Sequence, residues 1–429
     1  MDKETAIAQL NAATKQERLE AARALKKHID SGQIRTLPDE GYTNNHVHTT
    51  YSYSPYSPAK AVYMAVLNGL STVGIIDHDA IGGAEEFIAA GEIFGIATTI
   101  GFEIRTDWSD TRLRGRRINN PDQVSSAYIC AHGLPHGSIA KADAYLRNIR
   151  QARDKRSKKI VGNINGIAQP LGISIDFETD VLPLSFAHDG GGVTERHLLS
   201  ALTNKMMKKF GKGQRMVDVL CGSFGIELGV SQLAYLTDEG NEMYAYDLLN
   251  VFKSILIKDI YVDATRDEIV SVQSAVDFIK EVGAIPSYCY LGDVGQSPTG
   301  DKKAQKFEDD YLEDVLETAR DIGFSAIAYM PSRNTMAQLE RIMKLCDEYG
   351  FMQISGEDIN QPRQSFICKQ LSEPAFAHLT DTTWALTGHE MAASKDLKNG
   401  MFADGKKLGR EELAGRIEKY KQIGLGNIE

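Results

Sequence analysis

Strand-length apolar stretches at 43–48, 72–76, 96–101 and 128–131 each deliver the chain to a histidine or an acid, and this regularity constrains the fold more than any other feature. His46 and His48 lie in the first stretch, Asp77, His78 and Asp79 follow the second, Glu103 the third and His132 the fourth. The intervals suit one strand, one helix and two loops. A helix opening at Ser57 and Pro58 and stopping at Gly69 fills the first gap, since serine caps a helix start and proline is tolerated in its first turn. A second helix is expected over 82–90. Each polar residue therefore sits just past the C-terminal end of a strand, where βα barrels and open α/β sheets gather their chemistry on one face.

The same rhythm returns later in the chain. Helices are expected over 267–282, 308–322 and 335–349, with Gly283, Gly323 and Gly350 as their stops, and strands over 284–290, 324–329 and 351–355. The last strand leads to Glu357, Asp358 and Asn360. Between the two βα runs lie a basic helix over 141–167, a loop over 169–192, a helix over 195–210 capped by Thr194, and helical sequence over 241–258. The expected organisation is an N-terminal helical extension (1–41), a barrel (42–132 and 194–361), a helical insertion (133–193, with further helix within 203–262) and a C-terminal extension (362–429). That last segment carries His378, Trp384 and His389 and is expected outside the barrel.

With 429 residues the chain can bury a large core, and a net charge of -10 argues against a general nucleic-acid or membrane-surface binder. No nucleic-acid partner is expected, and no apolar run is long enough to span a membrane. The acidic N-terminus does not resemble a signal peptide, and the 5 cysteines lack CxxC spacing, so a cytoplasmic protein is expected. Oligomeric state is not legible here.

His46 and His48 are two apart on a strand, so both imidazoles face one side and can hold one cation. Joined by Asp77, His78, Glu103, His132 and Asp358, they read as a metal centre. Mixed imidazole and carboxylate donors suit zinc, manganese or iron, and a single glutamate among histidines suggests a bridge between two metals. Hydrolysis follows from such a site. Arg105, Arg112, Arg114, Arg116 and Arg117 read as a long loop that is either solvated or a positive rim for an anionic substrate. Arg196 and Arg363 are candidates for gripping a phosphate. His78 or Asp79 could pass a proton to the leaving group. Cys289 reads as a buried thiol.

His46-Val47-His48-Thr49, Asp77-His78-Asp79, Gly101-Phe102-Glu103, His132, Thr194-Glu195-Arg196-His197 and Gly356-Glu357-Asp358-Ile359-Asn360 together resemble the ordered motifs of the polymerase and histidinol phosphatase (PHP) family. The resemblance spans residues 42–361. It implies a distorted seven-stranded βα barrel, TIM-like and of PHP type. It also implies a multinuclear metal site that hydrolyses phosphoesters. The expected function is hydrolysis of a small phosphorylated metabolite, a nucleotide or sugar phosphate, through a hydroxide bridging the metals. By position His46, His48, Glu103, His132, His197 and Asp358 would carry two principal metals, with Glu103 bridging. His78 would face a third site, and Asp77 and Asn360 complete the expected ligand set. Three departures bear on the third site: Tyr53 stands where the family shows an acid, Asn360 where it shows a histidine, and Ser287-Tyr288-Cys289 where many relatives have Ala-His-Pro. Two firmly held divalent metals and a weak or absent third are therefore expected. An amidohydrolase-like enzyme cleaving a carbon–nitrogen bond and a catalytically silent metal-binding domain are the alternatives.

Overall fold

The computed structural model describes residues 1–294 and 306–428. Eight strands are present among them: β1 (Tyr42–Val47), β2 (Leu70–His78), β3 (Ala97–Asp107), β4 (Ser126–His132), β5 (Val270–Ser271), β6 (Ile285–Cys289), β7 (Ala326–Tyr329) and β8 (Met352–Ser355). They form one sheet in the order β1-β2-β3-β4-β6-β7-β8, with the short β5 beside β3. A parallel bridge between Val47 and Ile359 joins the two edges, so the seven longer strands nearly close into a barrel. The strand residues are mostly buried on both faces, as expected where helices pack outside a parallel sheet.

One strand departs from the βα rhythm. β4 is antiparallel to both β3 and β6, whereas the other long strands run parallel. Glu103 pairs with Cys130, and the same register carried one step further sets His132 opposite Gly101, deeper in the barrel than Glu103. His132 thus ends its strand away from the mouth. β3 also runs further than its apolar stretch suggests, so Glu103 and Arg105 are strand residues rather than loop residues.

The insertion is helical. A helix of 30 residues, Ile139–Ala168, packs with Glu195–Phe210 and Tyr244–Ile260 around Ile160, Leu198, Leu202 and Phe252. His197 therefore reaches the barrel from a helix whose apolar face belongs to this second core. At the opposite end, the helix Ala377–Lys395 lies across the barrel floor rather than outside it. Asn45 donates from its side chain to Thr383 Oγ1 at 2.8 Å, and the Ile100 N–H donates to Glu390 Oε2 at 2.8 Å. No helix among the described residues is long and apolar enough to cross a membrane.

Candidate metal centre

Closure of the barrel builds the first part of the site. The His48 N–H donates to the Ile359 carbonyl at 2.9 Å and the Ile359 N–H to the His46 carbonyl at 3.1 Å, which fixes both histidines beside Asp358. A Cβ at Gly356 would lie 2.7 Å from the Cβ of His46, so only glycine lets the chain leave β8 this close to β1. His48 Nε2 lies 3.2 Å from Asp358 Oδ1. From the neighbouring strands, His78 Nδ1 lies 2.8 Å from Glu103 Oε2, and His46 Nε2 and His48 Nε2 lie 3.9 and 4.0 Å from the same oxygen.

These side chains fall into three overlapping groups whose donor atoms lie within 4.8 Å of one another: His46, His48 and Asp358; His48, His78 and Glu103; and His46, Glu103 and Cys130. Glu103, His46 and His48 each belong to two groups, so the three are facets of one centre. Its electrostatics are those of an acid held among imidazoles. Burial alone would raise the Glu103 carboxyl, but His78, His46 and His48 outweigh it and hold the group below its ordinary value. For His46 burial wins and the ring is pushed down. For His48 burial is outweighed by the hydrogen bond and charge of Asp358, and the ring is pushed up.

Asp77 was expected among the ligands, but the structure commits it elsewhere. Its Oδ1 accepts from the Thr49 N–H (2.7 Å) and Ser52 Oγ (2.5 Å), and its Oδ2 accepts from Thr49 Oγ1 (2.6 Å). Ser52 Oγ in turn lies 3.2 Å from His48 Nδ1, so Asp77 steers the His48 ring through a serine, leaving Nε2 for the centre. This support was missed in the sequence, although Thr49 and Ser52 stand beside the histidines.

Two further histidines carry unspent donors. His132 Nε2 and His197 Nε2 are buried without a hydrogen bond, and burial pushes each ring down to about 3, so both rings are neutral. His197 Nδ1 is already used, accepting the Thr194 N–H at 3.0 Å as part of the helix cap. Neither ring joins the close groups: His132 lies below Glu103 on the reversed strand, and His197 packs edge-on against Tyr53 with ring centroids 5.0 Å apart. Tyr53, the residue in the acid's place, thus meets a histidine ring with its own ring. Asn360 donates its amide to Asp358 Oδ1 at 2.7 Å, bracing the carboxylate, and leaves its own Oδ1 buried without a partner.

Three arginine and acid assignments are corrected. Arg105 is buried on β3 in an ion pair with Glu268, and in the rim it was meant to begin Arg112 is paired with Glu317 and Asp321 and Arg116 with Asp314. Arg363 grips Asp247 at 2.9 and 2.8 Å and lies over the Tyr235 ring, which makes it a latch to the insertion and not a substrate ligand. Asp79, buried and at a φ of 51°, has its carboxylate 2.8 Å from the Arg153 guanidinium, too poorly aligned for a hydrogen bond but paired by charge. It is turned to the insertion helix and is not placed to relay a proton. Arg196 keeps Nη1 buried and unpartnered, beside Tyr53 and Tyr246.

The donors present fit divalent transition metals. Imidazole nitrogens, carboxylate oxygens and a thiol converge, and the neutral His132 ring keeps an unpartnered buried Nε2. Cys130 was not anticipated, because reading β4 as parallel hides that it faces Glu103 across the ladder.

No protein-family model matches the chain. A 5'-3' exoribonuclease from Haemophilus influenzae is 36% identical over 63 residues, which is 15% of this chain, and the match spans 23% of that enzyme's length. A protein from Bifidobacterium adolescentis assigned as a metal-dependent phosphoesterase superposes with a TM-score of 0.50 at 17% identity, covering 80% of this chain and 98% of that one. An amidohydrolase from Chromobacterium violaceum, solved with sulfate and without metal, gives a TM-score of 0.50 at 17% identity over 79% of this chain and 96% of its own. At these identities the likeness is one of fold.

Proposed function

We propose that the protein is a metal-dependent hydrolase of phosphate esters, acting on a small phosphorylated metabolite such as a nucleotide or sugar phosphate. The observation that carries this reading is the sharing of Glu103 between the His46 and Cys130 group and the His48 and His78 group. A carboxylate between two sets of donors is what a pair of cations requires. His46, His48 and Asp358 would hold one metal and His78 the other, with Glu103 shared between them, His132 Nε2 as a further donor, and His197 Nε2 as another once its proton moves to Nδ1 beside Thr194 Oγ1. Bound there, the metals would supply Lewis acidity and lower the pKa of water.

The remaining parts belong to the chain itself. Arg196 has a buried, unspent Nη1 and is the cation available to orient a phosphoryl oxygen. His78, whose side chain is 28% exposed, is the most open imidazole of the centre and the ligand nearest to an incoming substrate. A small metabolite is favoured over a nucleic acid by the net charge of -10 and by the pairing of the arginines that might have formed a basic rim.

Incubation with manganese, then separately with zinc, against a panel of phosphomonoesters, N-acyl amino acids and a short 5'-phosphorylated RNA tests this. Phosphate release from the monoesters is expected. Amide cleavage instead would support the amidohydrolase reading, cutting of the RNA would replace the small substrate, and no turnover would leave a silent metal-binding domain. A second expectation concerns stoichiometry. Tyr53 and Asn360 stand where a third site would need an acid and a histidine, and they contact His197 and Asp358 instead, which weakens any third site. Metal analysis of protein purified without chelator should give about two metals per chain, as for a paired site, and three at full occupancy would refute it.

A further inference from the structure

A cleft of about 270 Å³ opens at the barrel floor, at the end remote from the metal centre. One wall is the start of β6, β7 and β8, including Pro286, Phe324 and Phe351, and the other is the C-terminal extension, including Phe402 and Leu408. Its lining carries five cations, Lys280, Arg320, Lys398, Lys406 and Lys407, on a chain whose net charge is -10. The only carboxylate among the described lining residues is Glu281, which is taken by Lys141 at 2.7 Å. Among the described residues no carboxylate lies within 4.0 Å of Lys280, Lys398 or Lys407, and Lys406 reaches Asp404 only at 4.0 Å. Arg320 is fixed by the Tyr349 carbonyl at 2.8 Å rather than by an acid.

Helix ends explain part of this charge. Lys280 and Arg320 stand in the last turns of their helices, where cations offset the exposed carbonyls. Lys398, Lys406 and Lys407 come from a different segment, folded over the floor, and add like charge to a place already positive. Burial pushes the Lys280 ammonium below its ordinary value; the charge of Asp277 opposes the shift and that of Lys407 adds to it. Like charges brought together with few acids in direct contact raise the energy of the free protein and are relieved by an anion.

We propose that this cleft is a binding site for a small phosphate monoester, distinct from the metal centre. The phosphate is met by the ammonium groups of Lys398 and Lys407 with Arg320, and the carbon skeleton lies against Phe324, Phe351 and Phe402. The volume falls just under the range of ordinary ligand pockets, roughly 300 Å³ upward, and so limits the occupant to about the size of a sugar phosphate.

Calorimetric titration of ribose 5-phosphate into the full chain, with EDTA present, tests the site directly, with ribose as the uncharged control. Lys398→Gln combined with Lys407→Gln, both exposed and free of partners that folding needs, should weaken binding at least about tenfold, while Glu103→Gln should leave it unchanged. The affinity should also fall as salt is raised. The inference is overturned if ribose 5-phosphate gives no binding heat, if ribose binds as well, or if Glu103→Gln removes the binding and the lysine pair does not. The proposed hydrolase activity can fail without touching this result, since the titration is run without metal.

Discussion

Glu103→Gln should abolish turnover and strip metal from the protein. The substitution keeps the shape of the side chain and removes one negative charge from a point 2.8 Å from His78 and 3.9 and 4.0 Å from His46 and His48. Its new NH2 group is a donor, so one of the two positions that would face a cation now faces it with hydrogens. Groups that merely orient metal ligands cost 10- to 100-fold in activity or metal affinity when changed. A residue shared by two donor groups should cost more, so the expected loss in kcat/KM exceeds about 100-fold. The fold should survive, because the barrel is closed by backbone hydrogen bonds between His46, His48 and Ile359 that the change does not touch. Metal content, phosphate release and circular dichroism on the same preparation decide it. Native activity in a folded Glu103→Gln protein would remove the bridging role.

How far the sequence foretold this centre depends on which physical information each residue carries. His46, His48, His78, Glu103 and Asp358 were legible because strand periodicity and strand-to-strand spacing are local, and local pattern places them at one end of a barrel. His132 was misplaced because the direction of a strand is not written in its own residues. β4 has the apolar character of its neighbours, and only its pairing with β3 and β6 reveals that it runs backwards. The same reversal explains why Cys130 went unnoticed. Arg105 and Arg363 failed differently: an unpaired arginine and a paired one look alike until the partner is known, and Glu268 and Asp247 are far away in sequence. Asp77 was read as a ligand because of its place beside His78, when strand alternation sends it to the other side of the ladder, towards Thr49 and Ser52. The floor helix could not be foreseen, since its contacts with Asn45 and Ile100 join parts of the chain far apart in sequence.

Glu268→Gln should be among the most destabilising single changes outside the centre. Glu268 is 1% exposed and is held by Arg105, by Arg153 at 3.3 Å and by Arg156 at 2.6 Å. Arg153 and Arg156 have second partners, Asp79 and Glu195. Arg105 has no other ion pair among the described residues, and its Nε already lacks a hydrogen bond, so removing the Glu268 charge leaves a buried guanidinium uncompensated. Breaking a buried pair in this one-sided way costs about 3–5 kcal/mol. An exposed pair such as that of Arg112, 44% exposed, is worth at most about 1 kcal/mol, so Arg112→Ala is the matched control. Because Arg153 also pairs with Asp79 next to His78, the loss should reach the metal centre as looser binding as well as lower stability. The pH dependence has a definite sign. Burial raises the Glu268 carboxyl but Arg105, Arg153 and Arg156 outweigh it and hold it below its ordinary value, so its contribution is complete above that ordinary value, near pH 4.5, and is lost as pH falls through the lowered one. Urea midpoints of the native protein and the two variants, taken at neutral pH and again below pH 4, measure both effects. A Glu268→Gln midpoint no lower than that of Arg112→Ala at neutral pH would show that the insertion does not depend on this cluster for its seat on the barrel.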